Sequence, residues 1–183
     1  MKSTDHKIVE LQLKRKIDNF SQIAHYCPFK YPAVVEVNPF TAGIPAPTIY
    51  WLSCPALNYQ VDRLESESNL IDELGQKLKN DLQFKQQLAK AHQDYARQRR
   101  QLLTAKAEEQ AQKISVDLLN TLLYSGVGGI KEQLGIKCLH THLAHFLVTG
   151  SNPVGKIVFA KVSWPEECLI CQERTDKLES SSN

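Results

Sequence analysis

The chain has 183 residues, 42% apolar and 23% charged, with a formal net charge of +2. That is enough for one domain with a real core, and the composition is ordinary for a globular protein. The charge gives no strong signal for nucleic acid, and no apolar run approaches the ~18–20 residues that a membrane span needs.

The N-terminus, MKSTDHKIVELQLKRK, has no signal-peptide apolar stretch, so the expected compartment is the cytoplasm. The cysteines are Cys27, Cys54, Cys138, Cys168 and Cys171. An odd number in a chain of this size favours free thiols, metal ligands or catalysis over a disulfide framework.

In chain order, Ile8, Leu11 and Val9 mark a short helix over 5–14. Two β-prone runs, 20–26 and 33–37, flank a Pro-bearing connection and predict an antiparallel hairpin. Three prolines and a glycine in NPFTAGIPAP predict an irregular loop, and TIYWLS predicts a third strand. Cys54 then stands at an N-cap and Pro55 at N1 of a helix.

From 77 to 113 the chain is charged and free of Gly and Pro, with Phe84, Leu88, Ala91, Tyr95 and Leu102 at helical spacings. One long amphipathic helix is expected there, with room for a homodimer along it. ISVDLLNTLLY adds a short helix, and SGVGG reads as a hinge or turn. Another helix covers 138–148, ended by Gly150 with Pro153 beyond it. KIVFAKVSW predicts a last strand. The tail is expected to fray beyond Cys171, giving a single domain over 1–172 and a loose 173–183. The fold class expected is α+β: a small, mostly antiparallel sheet with helices on one face.

The stretches CPFKYPAVVEV (27–37), PAPTIYWLSCPALNYQVDRLE (45–65), AHQDYARQR (91–99) and GVGGIKEQLGIKCLHTHLAHFLVTGSNPVG (126–155) together resemble the bacterial domain-of-unknown-function family 501. The resemblance implies shared ancestry and a shared site, but names no activity. It includes Cys138, His140 and His145. One departure is visible: the family's first stretch often has Cys, two spacers and Gly before the proline, where this chain has Lys30 and Tyr31. Cys168 and Cys171 lie outside these stretches.

The chemistry concentrates in Cys and His. In a three-stranded meander, Cys27 and Cys54 end the first and third strands at the same end of the sheet. They would be roughly 9–10 Å apart at the backbone. Only a curled loop would bring both onto one zinc ion, with its ~2.3 Å bonds to sulfur. The alternative is two separate buried thiols.

Cys54 at a helix N-terminus is favoured as thiolate, or else serves as a capping residue. Positions 138, 142 and 145 share a helix face, whereas the family pattern pairs Cys138 with His140 and His145. Both agree on Cys138 and His145. A core helix with satisfied histidines is the alternative.

Cys168-x-x-Cys171 is half a zinc site, or an exposed redox-sensitive pair. His92, Tyr95 and Arg99, at i, i+3 and i+7, offer an acid/base group and an anion binder, or else a solvated face. Arg63 stands ~13 Å along the helix from Cys54 and suits binding rather than chemistry.

Three functions follow. The first is zinc binding through Cys27, Cys54, Cys138 and His140 or His145. The second is metal-free catalysis with Cys54 as nucleophile and His140 or His145 as base. The third is a non-catalytic module docking through the 77–113 helix.

Overall fold

The computed structural model describes residues 3–131 and 134–180, with side chains through 176. The fold is α+β, as expected. Strand β1 (Phe20–Tyr26) pairs antiparallel with β2 (Pro32–Val37), and β2 with β5 (Tyr50–Leu52), giving the order β1-β2-β5. In the register, Ile23 lies opposite Val35, and Val34 opposite Leu52. Every residue of β2 is buried: Ala33, Val34, Val35 and Val37 are apolar, and the Glu36 carboxylate accepts from Ser21 Oγ and Gln22 Nε2, both at 3.0 Å.

Val34 and Leu52 join the main core with Leu57, Leu88, Leu139 and Leu143. Val35 and Val37 instead pack with Val9 of α1 (Thr4–Leu13) and with Ile17. Most helices thus stand on one side, and α1 closes the other.

The NPFTAGIPAP segment is not wholly irregular. Phe40–Thr41 (β3) and Ile44–Pro45 (β4) pair as a two-stranded hairpin. Its two turn residues, Ala42 (φ 51°) and Gly43 (φ 80°), both take positive φ, as a tight primed turn requires. The prolines fall outside the turn, which is why counting them misled.

The expected long helix is three. Helix α3 (Leu70–Asn80) ends at Asp81, whose carboxylate accepts the Phe84 N–H at 2.9 Å and starts α4 (Leu82–Leu102). Thr104 repeats the device for α5 (Ala105–Ile114), accepting from the Ala107 N–H. A short polar side chain satisfies an orphan N–H and resets the helix. The continuous face on which a helix-mediated dimer was expected is therefore interrupted twice.

Helix α2 (Pro55–Glu67) begins after Cys54 as expected, and α6 (Val116–Tyr124) leads into a 3-10 turn at Val127–Gly129. Helix α7 (Leu139–Thr149) ends at Gly150 in the left-handed region. KIVFAKVSW does not form a strand. Asn152 caps and Pro153 opens α8 (Pro153–Phe159), and Val154 and Val158, at i and i+4, are both fully buried. The capping signal and the helical spacing outweigh β-propensity. The segment after Cys171, expected to fray, belongs to α9 (Leu169–Ser180).

Helices α7 and α8 meet closely at Gly155. A Cβ there would stand 2.2 Å from the His142 carbonyl oxygen and 2.4 Å from the Phe146 Cβ. Gly155→Ala is expected to lower stability by about 1–3 kcal/mol through overpacking, read as a shift of the urea midpoint. An unchanged midpoint would contradict this packing.

Candidate functional site

The Cys/His stretch divides into two sites. Cys138 is the N-cap of α7, with extended backbone (φ −140°, ψ 116°). Its side chain precedes the first turn, so the helical i, i+4, i+7 rule does not apply to it. It approaches His140 instead, with Sγ 3.9 Å from Nδ1.

Glu65 of α2 completes the group. Its Oε1 accepts the Leu139 N–H at 2.6 Å, capping α7, and stands 3.5 Å from His140 Nδ1. One ligand atom each from Glu65, Cys138 and His140 lies within 4.8 Å of the others, the one such group among the described residues. Asp62, one turn earlier on α2, holds the other imidazole nitrogen, with Oδ1 3.1 Å from Nε2.

Charge and proximity set the ionisation here. Burial alone would lower His140, but the Cys138 thiol and the carboxylates of Glu65 and Asp62 push it up to about 9. Burial works against the Cys138 thiolate, yet His140 and the Thr141 N–H and hydroxyl hold the thiol below its ordinary range. All three residues of the group are partly exposed.

His142 and His145 turn the other way. Both are fully buried. Asn152 Nδ2 lies 3.1 Å from Nδ1 of each, while its Oδ1 accepts the Gly155 N–H at 2.9 Å. The amide nitrogen therefore donates to His145 Nδ1, while His142 Nδ1 faces both the amide nitrogen and, at 3.2 Å, the amide oxygen. That leaves the proton of His145 on Nε2. Nε2 of His145 stands 3.5 Å from Asp94, and Nε2 of His142 has no partner.

His92 completes this interior group, its ring centroid 5.9 Å from that of His142. Its Nδ1 accepts the Val127 N–H at 3.1 Å and its Nε2 meets the Gly135 carbonyl at 3.1 Å. A Cβ on Gly126 would lie 2.4 Å from His92 Nδ1, so the SGVGG turn needs glycine there to pack on the ring. Burial lowers all three imidazoles: His92 and His145 to about 4, and His142 to about 3.

The other expected residues are placed elsewhere. Arg99 is fully buried, and its guanidinium donates to the carbonyls of Leu122, Pro47 and Ser125. It has no free edge for an anion. Arg63 pairs with Glu67 one turn on, exposed. Cys54 is 3% exposed. Burial pushes its thiol up to about 11, outweighing the Leu57 and Ala56 N–H groups that favour thiolate. Neither Cys27, Cys54 nor His145 joins the Glu65 group. A cavity of about 710 Å³ is lined by Ile71, Leu78, Lys79, Lys85 and Ile136, but by none of the three ligand candidates.

Residues 23–160 match the family described as "Protein of unknown function (DUF501)". The chain belongs to DUF501. The match takes in Glu65, Cys138 and His140, and ends before Cys168. No curated protein and no solved structure matches the chain. Among the described residues, no helix is long and apolar enough to cross a membrane. The sequence reading passed over Glu65 and Asp62 as site residues. Their signal was the i, i+3 spacing of two acids on one helix, which becomes informative only when α7 is known to abut α2.

Proposed function

We propose that this DUF501 protein binds zinc through Glu65, Cys138 and His140, leaving a fourth position open. The observation that carries this reading is the Glu65/Cys138/His140 convergence within 4.8 Å. One thiolate, one imidazole and one carboxylate form a donor set suited to zinc. The Asp62 contact adds to it: a histidine that ligates through Nδ1 donates Nε2–H to a carboxylate, which fixes the ring and raises its basicity. Three protein ligands and an open position are the pattern of a catalytic rather than a structural zinc. The ion would act there as a Lewis acid or lower the pKa of a bound water.

Zinc titration against a competing chelator, with the holoprotein and single variants, tests this. Cys138→Ser and His140→Ala are expected to abolish tight binding at this site. Asp62→Asn should weaken it by about 10–100-fold. Unchanged affinity in both ligand variants would refute the site.

A second reading rests on the Cys138–His140–Asp62 order, with 3.9 and 3.1 Å separations. It makes Cys138 a metal-free nucleophile with His140 as base, moving the cysteine chemistry from Cys54 to Cys138. Rapid alkylation of Cys138 near neutral pH, unaffected by added zinc, would favour it. Zinc protection of Cys138 would favour the first.

A further inference from the structure

Cys27 and Cys54 occupy the same end of the sheet. Cys27 directly follows β1 and Cys54 follows β5, with the start of β2 between them. The loop after Cys27 is curled. Its carbonyl accepts the Lys30 N–H and its N–H donates to the Tyr31 carbonyl, both at 2.9 Å. Lys30 sits at φ 65°, a conformation natural to glycine. A tight turn of this kind points the cysteine and following N–H groups toward one place. Cys27 and Cys54 are both buried in the main core.

The other two thiols arrive from the C-terminus. Cys168 directly precedes α9, and Cys171 is in its first turn. A cavity of about 220 Å³ is lined by Cys54, Cys168 and Cys171, with Pro55, Pro165 and Leu169. Cys54 is within electrostatic reach of Cys27 and Cys168. Cys168 and Cys54 are both near enough to Cys171 to oppose its ionisation. Gln12 Nε2 donates to Cys171 Sγ at 3.3 Å, as N–H groups do to metal-bound thiolates.

Helix α9 supplies an independent reason to look for a ligand. Leu169 is 56% exposed and Ile170 46%, so its first-turn apolar side chains bury little. Its buried first-turn residue is Cys171, and further along Arg174 donates to the carbonyls of Leu11 and Gln12. Among its described side chains α9 shows no buried apolar stripe, the usual source of a helix's tertiary stability.

We propose that Cys27, Cys54, Cys168 and Cys171 form a closed tetrathiolate zinc site that fastens α9 to the end of the sheet. Four thiolate ligands give the closed, structural class. Only the Glu65 group has three ligand atoms within 4.8 Å among the described residues. Binding therefore requires the four sulfurs to close up around the ion. The four thiols release their protons as the metal enters. The site is independent of the zinc proposed at Glu65.

The test uses the full chain with Cys138→Ser and His140→Ala together, which removes the Glu65 site and leaves these four thiols. One cobalt ion per chain, with strong thiolate-to-metal charge-transfer absorption of a tetrahedral site, is expected. Zinc should displace it, and adding Cys168→Ser with Cys171→Ser should abolish it. Fold-sensitive failure of that last variant is met by the wild-type protein. Its zinc form, after brief alkylation and peptide mapping, should show Cys27, Cys54, Cys168 and Cys171 protected together. Stripping by a chelator should raise their alkylation about tenfold or more and expose α9 to proteolysis. Absence of the charge-transfer band, or alkylation of the four thiols unchanged by zinc and chelator, would overturn the proposal. So would a Cys168–Cys171 disulfide in protein purified without oxygen.

Discussion

Replacing Arg99 by methionine is expected to destabilise the protein by about 3 kcal/mol or more, since each buried acceptor left unpaired costs about 1–3 kcal/mol. The guanidinium donates from Nε to the Leu122 carbonyl at 2.5 Å, from Nη1 to Pro47 at 3.0 Å, and from Nη2 to Ser125. These carbonyls belong to the last turn of α6, the loop before β5 and the residue after α6. One side chain of α4 thus ties the end of α6 to the loop before β5, segments far apart in sequence. Burial lowers the Arg99 pKa to about 10, so the group stays charged at neutral pH and each bond is charge-assisted.

Methionine matches the stem but supplies no donor. Arg99→Lys should recover only part of the loss, because one ammonium cannot span the fork. Urea unfolding followed by circular dichroism reads both variants. Against a total of about 5–15 kcal/mol, the methionine variant should have a sharply lower midpoint. A shift worth less than about 1 kcal/mol would mean that the three carbonyls find other partners.

Arg99 also illustrates what the sequence conveys and what it conceals. Its place on the buried side of α4 follows from the spacing of Phe84, Leu88, Ala91 and Tyr95, all buried. Nothing local distinguishes an arginine that grips carbonyls from one awaiting an anion. The partners at 47, 122 and 125 become visible only in the fold. The three strands of the main sheet and the Cys54–Pro55 helix start were legible because alternation, β-branching and capping are local signals.

The long helix was misread for an opposite reason. Its apolar spacing carries across Asp81 and Thr104, and the caps that divide it are single polar side chains. KIVFAKVSW reads as β from its Val and Ile content, while Asn152-Pro153 just upstream specifies a helix start.

At the site, the density of imidazoles was the legible part. Its division was not, because Cys138 is extended and stands before the first turn. That single backbone conformation sends Cys138 and His140 toward α2, while His142 and His145 enter the core. The Cys168/Cys171 pair was recognisable as half a site by spacing. Its partners, Cys27 and Cys54 in the site proposed above, required the strand order.

Acid should unfold the protein through its interior histidines, with loss of structure expected between about pH 5 and 4. His92, His142 and His145 are held neutral by burial, the first and last to about 4 and His142 to about 3. Mutual repulsion also opposes charging: His92 and His145 each disfavour the charged form of His142. Asp94 works the other way on His145 but does not offset its burial.

In the unfolded chain these rings titrate near 6.5. Below that pH the unfolded state binds protons that the folded state refuses, so stability falls as pH drops toward the folded values. Each histidine contributes a slope approaching 1.4 kcal/mol per pH unit, about 2 kcal/mol or more by pH 4.5. Three acting together approach the whole stability of an ordinary domain. His25, also lowered by burial, adds in the same direction.

Imidazole resonances followed by NMR between pH 7.5 and 5 check the cause, and urea midpoints over the same range check the slope. Of the six histidines, these three should stay neutral until the fold is lost. Titration of these three near 6.5 in the folded protein would contradict the mechanism.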